Sequence, residues 1–411
     1  MKTFFQYLTI AFTLCLVFFS KISHAQSGCT DPQANNYDPT AIENDGSCVY
    51  PNTNYSPGLV AILPTNLTEC SGLAFFNNLL WTHLDGGNAD QLIELDTLSG
   101  AAKATVTIPN STNTDWEDLA EDAEHIYIGD FGNNFGNRTD LRIYKIKKSN
   151  LTGGTPLPQL IQFSYSDQTV FTSAPNNNNY DCEAFFFWND SLHLFSKNWV
   201  DFKTRHYVLP ATPGIHIAEL RDSLNVQGQV TAADISDEGV ALLLGYNKST
   251  SEAFMWLLFD FQEGRFFSGN KRRISLGSAI GTSQVEGITF KDNKKGYICS
   301  EEFSILPPKL LSFDVSQWLP NPVPTRAINF QSGLSIFPNP TADKLTFSLE
   351  GWSSHPLKVT ISDITGKNVM GYVLENTQSM LTISISQLPT GPYLISVSNG
   401  EAQAASLFYK K

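Results

Sequence analysis

Between residues 70 and 302 the chain repeats one two-part unit five times, and this repeat limits the possible fold more than any other feature. The first parts read CSGLAFF (70–76), WEDLAED (116–122), CEAFFFW (182–188), AADISDE (232–238) and VEGITFK (285–291). Each is followed by a second apolar run: LLWTHLDGG (79–87), HIYIGDFGNN (125–134), LHLFSKNW (192–199), ALLLGYN (241–247) and KGYICSEE (295–302). The unit starts lie 46, 66, 50 and 53 residues apart. Strand, tight turn and strand at a period of about fifty residues, with further strands between, is the signature of a β-propeller. Five units require at least five blades, and the 66-residue interval leaves room for a sixth. GLVAILP (58–64) precedes the first unit and is placed to supply the outer strand that closes the ring.

The hairpins carry a second constraint. In an antiparallel pair, the start of the first strand and the end of the second meet at one edge. The first strands are expected to start at Ser71, Glu117, Glu183, Ala233 and Glu286, and the second to end near His83, Asp130, Lys197, Tyr246 and Glu301. All ten positions then share one face of the disc. With these strands innermost, Glu117, Asp130, Glu183, Glu286, Glu301, His83, Lys197 and Tyr246 become the ligand-binding candidates at the channel mouth, with Asp85, Asn133 and Asn134 on loops above. Ala233 interrupts the acidic ring, while Trp116 and Asp118 fall on the opposite strand face. Cys70 and Cys182 occupy an apolar position of the unit and read as buried residues rather than nucleophiles. No G-x-S-x-G, P-loop, H-E-x-x-H or C-x-x-C occurs, so the usual local signatures of hydrolases, nucleotide enzymes and zinc sites are missing. Catalysis is therefore left open.

The flanking segments have a different character. Residues 1–25 read as a secretory signal, with Lys2, an apolar stretch from Phe4 to Phe19 and a Ser23-His24-Ala25 cleavage site. No later stretch holds eighteen consecutive apolar residues, so the mature chain is expected to carry no transmembrane segment. Removing the signal takes away two lysines, leaving 25 basic and 40 acidic residues, a net of 25 − 40 = −15. That field disfavours nucleic acid and anionic membrane as partners and leaves room for cations or basic partners. Residues 26–54 are a turn-rich module and linker in which Cys29 and Cys48 bracket Asp-Pro, Asn-Asn and Asp-Gly turns, the pattern of a local disulfide. Closing a loop of that size contributes about 3 kcal/mol on the chain-entropy account. The propeller is assigned to 55–318, a Pro-rich linker to 319–332, and a β-sandwich to 333–411, where LSIFPNPTADKLTFSL, LKVTISDITGKNVM and LTISISQLPTGPYLISVSNG alternate apolar and polar residues. The fold class is thus all-β throughout.

Three resemblances attach to these residues. The C-terminal blocks, through Pro338-Asn339-Pro340, Asp363 with Gly366, and Leu388 with Gly391 and Tyr393, resemble the type A C-terminal sorting domain of the type IX secretion system. That implies passage through the Sec pathway and periplasm, recognition by the type IX machinery, and delivery to the outer surface or medium. The segment GCTDPQANNYDPTAIENDGSC (28–48) resembles a short module recurrent in exported proteins of Bacteroidota. DWEDLAEDAEHIYIGDFGNN (115–134) and QVEGITF (284–290) resemble SdiA-regulated and phytase-like propellers, in which a D-x-E-G-I/L strand opens a blade. The phytase-like resemblance implies a channel Ca²⁺ held by carboxylates at Glu117, Asp130, Glu183 and Glu286, acting on a phosphate ester. The expected function is a surface-delivered binding or scaffold propeller of unknown ligand, with a Ca²⁺-dependent, phosphoesterase-like hydrolase as the alternative.

Overall fold

The computed structural model describes residues 27–319, except 263, and in the C-terminal part residues 329–330, 334–348, 357–364, 368–374, 380–398 and 402–411. The expected signal, most of the Pro-rich linker and Gly366 lie outside the described residues. The chain divides at Leu319/Pro320 into two compact units.

Strand content follows from composition, since β-branched and aromatic runs closed by Asn, Asp and Gly favour short paired strands over helices. The stapled module comes first. Cys29 and Cys48 form a disulfide, and β1 (Ser27–Gly28) pairs in parallel with β2 (Glu43–Asn44). Its aspartates close turns: Asp31, Asp38 and Asp45 each accept the backbone N–H two residues on, at 2.8–2.9 Å. The module docks on the propeller through Asn44 with Asp260 (2.8 Å), Arg272 with Gln33 (2.6 Å), and the Arg272 guanidinium over the Tyr50 ring.

The linker then supplies β3 (Thr53–Asn54) and β4 (Gly58–Ile62), both taken up by later blades. Blade one is β5 (Cys70–Phe76), β6 (Leu79–Leu84), β7 (Gln91–Leu95) and β8 (Ala102–Thr107). Blade two is β9 (Trp116–Glu121), β10 (His125–Asp130), β11 (Arg142–Lys147) and, after the short helix α1 (Ser149–Gly153), β12 (Gln159–Tyr165). Blade three is β13 (Cys182–Trp188), β14 (Ser191–Ser196), β15 (Thr204–Pro210) and β16 (Gly214–Leu224). β16 also pairs in parallel with β12, joining blades two and three into one eight-stranded sheet. Blade four is β17 (Gln229–Ile235), β18 (Ala241–Asn247), β19 (Glu252–Phe259) and β20 (Asn270–Ser278), edged by β3. A short helix, α2 (Ala279–Thr282), leads to blade five: β21 (Gln284–Phe290), β22 (Lys295–Glu301), β23 (Lys309–Asp314) and the N-terminal β4, which closes the ring as the sequence predicts.

The first strands β5, β9, β13, β17 and β21 neighbour one another in a closed circle. Five apolar clusters fill the five gaps between successive blades. Trp81 and Trp116 lie between one and two, Tyr127 and Phe185 between two and three, and Phe186 and Phe254 between three and four. Met255 and Ile298 lie between four and five, and Cys70 and Cys299 at the closing seam of five and one. The propeller is therefore five-bladed. The long interval before blade three holds α1 and the loop 166–181 rather than a sixth blade. Cys70, Cys182 and Cys299 are buried free thiols.

The second unit has two sheets. One runs β24 (Asn329–Phe330), β31 (Ala402–Lys410), β30 (Gly391–Ser398), β27 (Leu357–Ser362) and β28 (Asn368–Leu374). The other runs β25 (Ile336–Phe337), β26 (Lys344–Ser348) and β29 (Met380–Ser384). Leu345, Phe347, Val359, Ile361, Ile395 and Phe408 form its core. Among the residues singled out in this unit, Asn339 bonds the backbone of both Leu407 (3.0 Å) and Tyr409 (2.9 Å). The Tyr393 hydroxyl donates to the Pro389 carbonyl (2.9 Å).

Candidate functional site at the channel mouth

All five first strands break register at one place. Ser71 faces His83 while Leu73 faces Thr82, leaving Gly72 extra; Trp116 faces Asp130 while Asp118 faces Gly129, leaving Glu117 extra. In the same way Glu183, Thr231 and Glu286 are the extra residues of blades three, four and five. A bulge takes one residue out of the ladder and re-aims its side chain. The repeat position is thus Gly72, Glu117, Glu183, Thr231 and Glu286. This corrects the expected alignment by one residue in blade one, where Ser71 is expected, and by two in blade four, where Ala233 is expected. Ser71 and Thr231 instead donate to backbone carbonyls of a neighbouring blade, those of Glu117 and Val285, each at 2.8 Å.

Carboxylates converge there in two overlapping groups. One oxygen each from Asp85, Asp115 and Glu117 lie within 4.8 Å of one another, and the same holds for Glu117, Asp181 and Glu183. Glu117 belongs to both, is only 6% exposed, and has no hydrogen-bond donor on its carboxylate among the described residues. Two glycines make room for the group. A Cβ at Gly132 would collide with the oxygens of Glu117 and Asp115, and one at Gly86 with Asp115. The other members are held in place. Asp181 accepts from the Asn133 backbone (2.6 Å) and the Trp199 indole (2.7 Å), Asp85 accepts from Gly86 N–H (2.5 Å), and Glu183 is clasped by Lys197.

Burial and mutual repulsion set the protonation of this group. Burial first, then Glu183, Asp85, Asp115 and Asp181, hold the Glu117 carboxyl well above the ordinary range. Asp115 is pushed up to about 7 by burial and by Asp85 and Asp181, and Glu301 to about 8 by burial and Asp85. Burial also raises Asp85 and Asp181. Burial opposes the charge on Lys197, but Glu183 and its neighbours outweigh it and raise this ammonium well above its usual value.

The remaining expected residues divide. Glu286 and Glu301 stay at the mouth, linked by the Gln284 amide, which donates to both (2.7 and 3.2 Å). Tyr246 stands with its ring 5.7 Å from the Lys197 ammonium. His83 is fully buried against Trp116, its Nδ1 2.9 Å from the Leu84 carbonyl, and burial pulls its pKa down to about 4. Asp130 lies apart from both carboxylate groups: Arg138 and Arg142 each reach it at 3.0 Å, and it accepts the Asp115 N–H (3.1 Å). Two guanidinium groups, rather than a bound cation, balance its charge. Asp118, expected on the strand face opposite Glu117, reaches across to the innermost strands of blades three and four. Its carboxylate accepts the N–H of Leu119 (2.9 Å), Phe185 (3.2 Å) and Ala233 (3.1 Å), tying blades two, three and four together.

Asp115 and Asp181 were absent from the expected set, although a signal for them exists. Both open a D-x-E triplet, Asp115-Trp116-Glu117 and Asp181-Cys182-Glu183, in which the acid just before the strand and the bulged glutamate two residues on recur together in blades two and three. Four or five hard oxygens around an undonated carboxylate suit a divalent cation, for which Ca²⁺ takes six to eight oxygen ligands. The chemistry of the donor set, the glycine-lined room and the undonated Glu117 fit such an ion in either triad, Asp85, Asp115 and Glu117 or Glu117, Asp181 and Glu183.

Comparison with known proteins locates one family. Residues 335–410 match the family described as the secretion system C-terminal sorting domain, supporting an exported protein with a sorting tail. Among curated proteins, a 23-residue stretch, 6% of this chain, is 83% identical to ribulose bisphosphate carboxylase/oxygenase activase 1 of Larrea tridentata, spanning 5% of that protein. So short a segment shows no family. Solved structures include a gluconolactonase from Xanthomonas campestris, 13% identical, covering 59% of this chain and 72% of that one at a TM-score of 0.33. Hydrazine synthase of Kuenenia stuttgartiensis is 10% identical, covering 84% and 75% at 0.30. Likeness at this level carries no argument about activity.

Proposed function

We propose that this protein is a type IX secretion cargo, delivered to the cell surface or medium, whose five-bladed propeller binds a ligand at its channel mouth through a hard divalent cation such as Ca²⁺. The observation that carries the reading is Glu117: a buried carboxylate with no donor, placed between two groups of acids. Leaving such a group unpaired in low dielectric is costly, and a cation offsets the cost. The cation would polarise any oxygen placed on it, while Lys197 and the Asn133 loop hold Glu183 and Asp181 in position. A hydrolase reading has one observation in its favour. Glu301 is a carboxyl raised to about 8, which keeps a transferable proton near neutral pH.

The test is a thermal melt of the propeller chain with Ca²⁺, with Mg²⁺ and with chelator. The expected result is a rise of several degrees with Ca²⁺ that Glu117→Gln abolishes. An unchanged melt across all three conditions overturns the cation. Turnover of generic phosphate or carboxyl esters, lost in Glu301→Gln, would move the assignment to hydrolase. For export, deletion of residues 333–411 should retain the protein inside the cell envelope; normal surface delivery of the truncated chain refutes the sorting role.

A further inference from the structure

A pocket of about 380 Å³ opens between blades four and five and meets the mouth through Tyr246 and Gln284, with no carboxylate in its own lining. Two of its walls belong to the mouth as well: Tyr246, beside Lys197, and Gln284, which donates to Glu286 and Glu301. Phe303 adds a second aromatic wall, and Ala253 and Ala279 keep the interior open. Ser251 and Ser283 offer neutral hydrogen-bonding groups, and Lys248 is the pocket's one charged lining residue. A cavity of this size, part aromatic and part neutral-polar, takes a small ring-shaped molecule.

Charge narrows the class. The mouth gathers seven carboxyls, Asp85, Asp115, Glu117, Asp181, Glu183, Glu286 and Glu301, against the single ammonium of Lys197. Lys248 is the one cation on the pocket wall; the carboxyls, neutral while protonated and negative once ionised around one divalent cation, outnumber it, so a phosphate ester or other anion is disfavoured. A neutral or amino-bearing ligand is not. A cation held by carboxylates keeps coordination places that water or paired hydroxyls can fill. Hydroxyl oxygens suit a hard cation, ring C–H faces suit Tyr246 and Phe303, and Gln284, Ser251 and Ser283 suit the remaining hydroxyls.

We infer that the mouth and this pocket together form a cation-dependent site for a neutral or amino sugar, with a vicinal diol on the ion and the ring body against Tyr246 and Phe303. The inference rests on the cation reading above and goes further by naming the ligand class. The experiment uses the full mature chain on an array of neutral, amino, sulfated and phosphorylated glycans, with Ca²⁺ and with chelator. Binding to neutral or amino sugars is expected only with Ca²⁺. Phe303→Ala should weaken it about tenfold and Ala279→Trp should remove it, while both variants keep the Ca²⁺-induced rise in melting temperature. That retained rise shows the variants are folded and separates a failure of the pocket from a failure of the ion site. A Ca²⁺ shift without glycan binding overturns the proposal. So does a preference for sulfated or phosphorylated glycans, binding that ignores chelator, or binding unchanged in Ala279→Trp.

Discussion

Glu117 and Asp118 are adjacent in sequence, both buried, and opposite in circumstance. Asp118, inside the channel, accepts three backbone N–H groups from three blades. Glu117, at the mouth, has none and faces other acids instead. Burial raises both carboxyls well above their usual values. A raised pKa therefore does not separate a structural acid from a ligand-binding one; the hydrogen-bond inventory does. Asp118 is consumed by the fold, and Glu117 is left over for something else.

The largest effect expected from breaking this contrast is at Asp118. Its replacement by Ala leaves three buried N–H groups without an acceptor, and should cost about 3 kcal/mol or more. For a unit of this size that is a fall in melting temperature of roughly 6–12 °C, with or without Ca²⁺. Glu117→Gln should act in the opposite direction in chelator. Glu117 must give up its charge to be buried among other acids, and an amide avoids that cost, so the melt should lie a few degrees higher, with loss of the Ca²⁺ response. If both substitutions destabilise alike, the distinction between the two carboxyls fails.

A subtler effect lies in pH. Asp115 and Glu301 hold protons up to about 7 and about 8 in the folded chain, well above their ordinary values of 3.8 and 4.5. The folded state then binds more protons than the unfolded one across that interval, so their contribution to stability is present at low pH and lost as pH rises. The chelated protein should melt progressively lower from about pH 5 to about pH 8, and Ca²⁺ should flatten the trend. The smallest signal is the proton count. Calorimetry of Ca²⁺ binding in two buffers of different ionisation enthalpy should show net proton release near neutral pH, less in Asp115→Asn.

Much of the architecture is legible in the sequence because the hairpin units are apolar and recur at a steady interval. The strand borrowed from the N-terminus is equally plain, since GLVAILP has no partner nearby. What escapes is register. A bulge adds a residue without leaving a compositional trace, so CSGLAFF and AADISDE align by their apolar look with Ser71 and Ala233 rather than Gly72 and Thr231. The same insertion turns Asp118 inward with Glu117, against simple alternation. Asp130 shows the converse problem: its sequence neighbourhood looks like a ligand loop, but Arg138 and Arg142, eight and twelve residues on, claim it first.

The way the ring closes also governs the order in which the protein can be made. β4 finds its partner in β23, whose first residue, Lys309, lies 247 positions after Ile62, the last of β4. Synthesis delivers the first edge of the final blade long before its other strands exist. Until then Leu59, Val60 and Ala61 wait as an unpaired edge, and the seam around Cys70 and Cys299 has only one side. Long-range pairing of this kind slows folding, because the loop must be closed before its contacts repay the lost entropy. A nascent chain that cannot complete its circle stays open until almost the whole propeller has emerged.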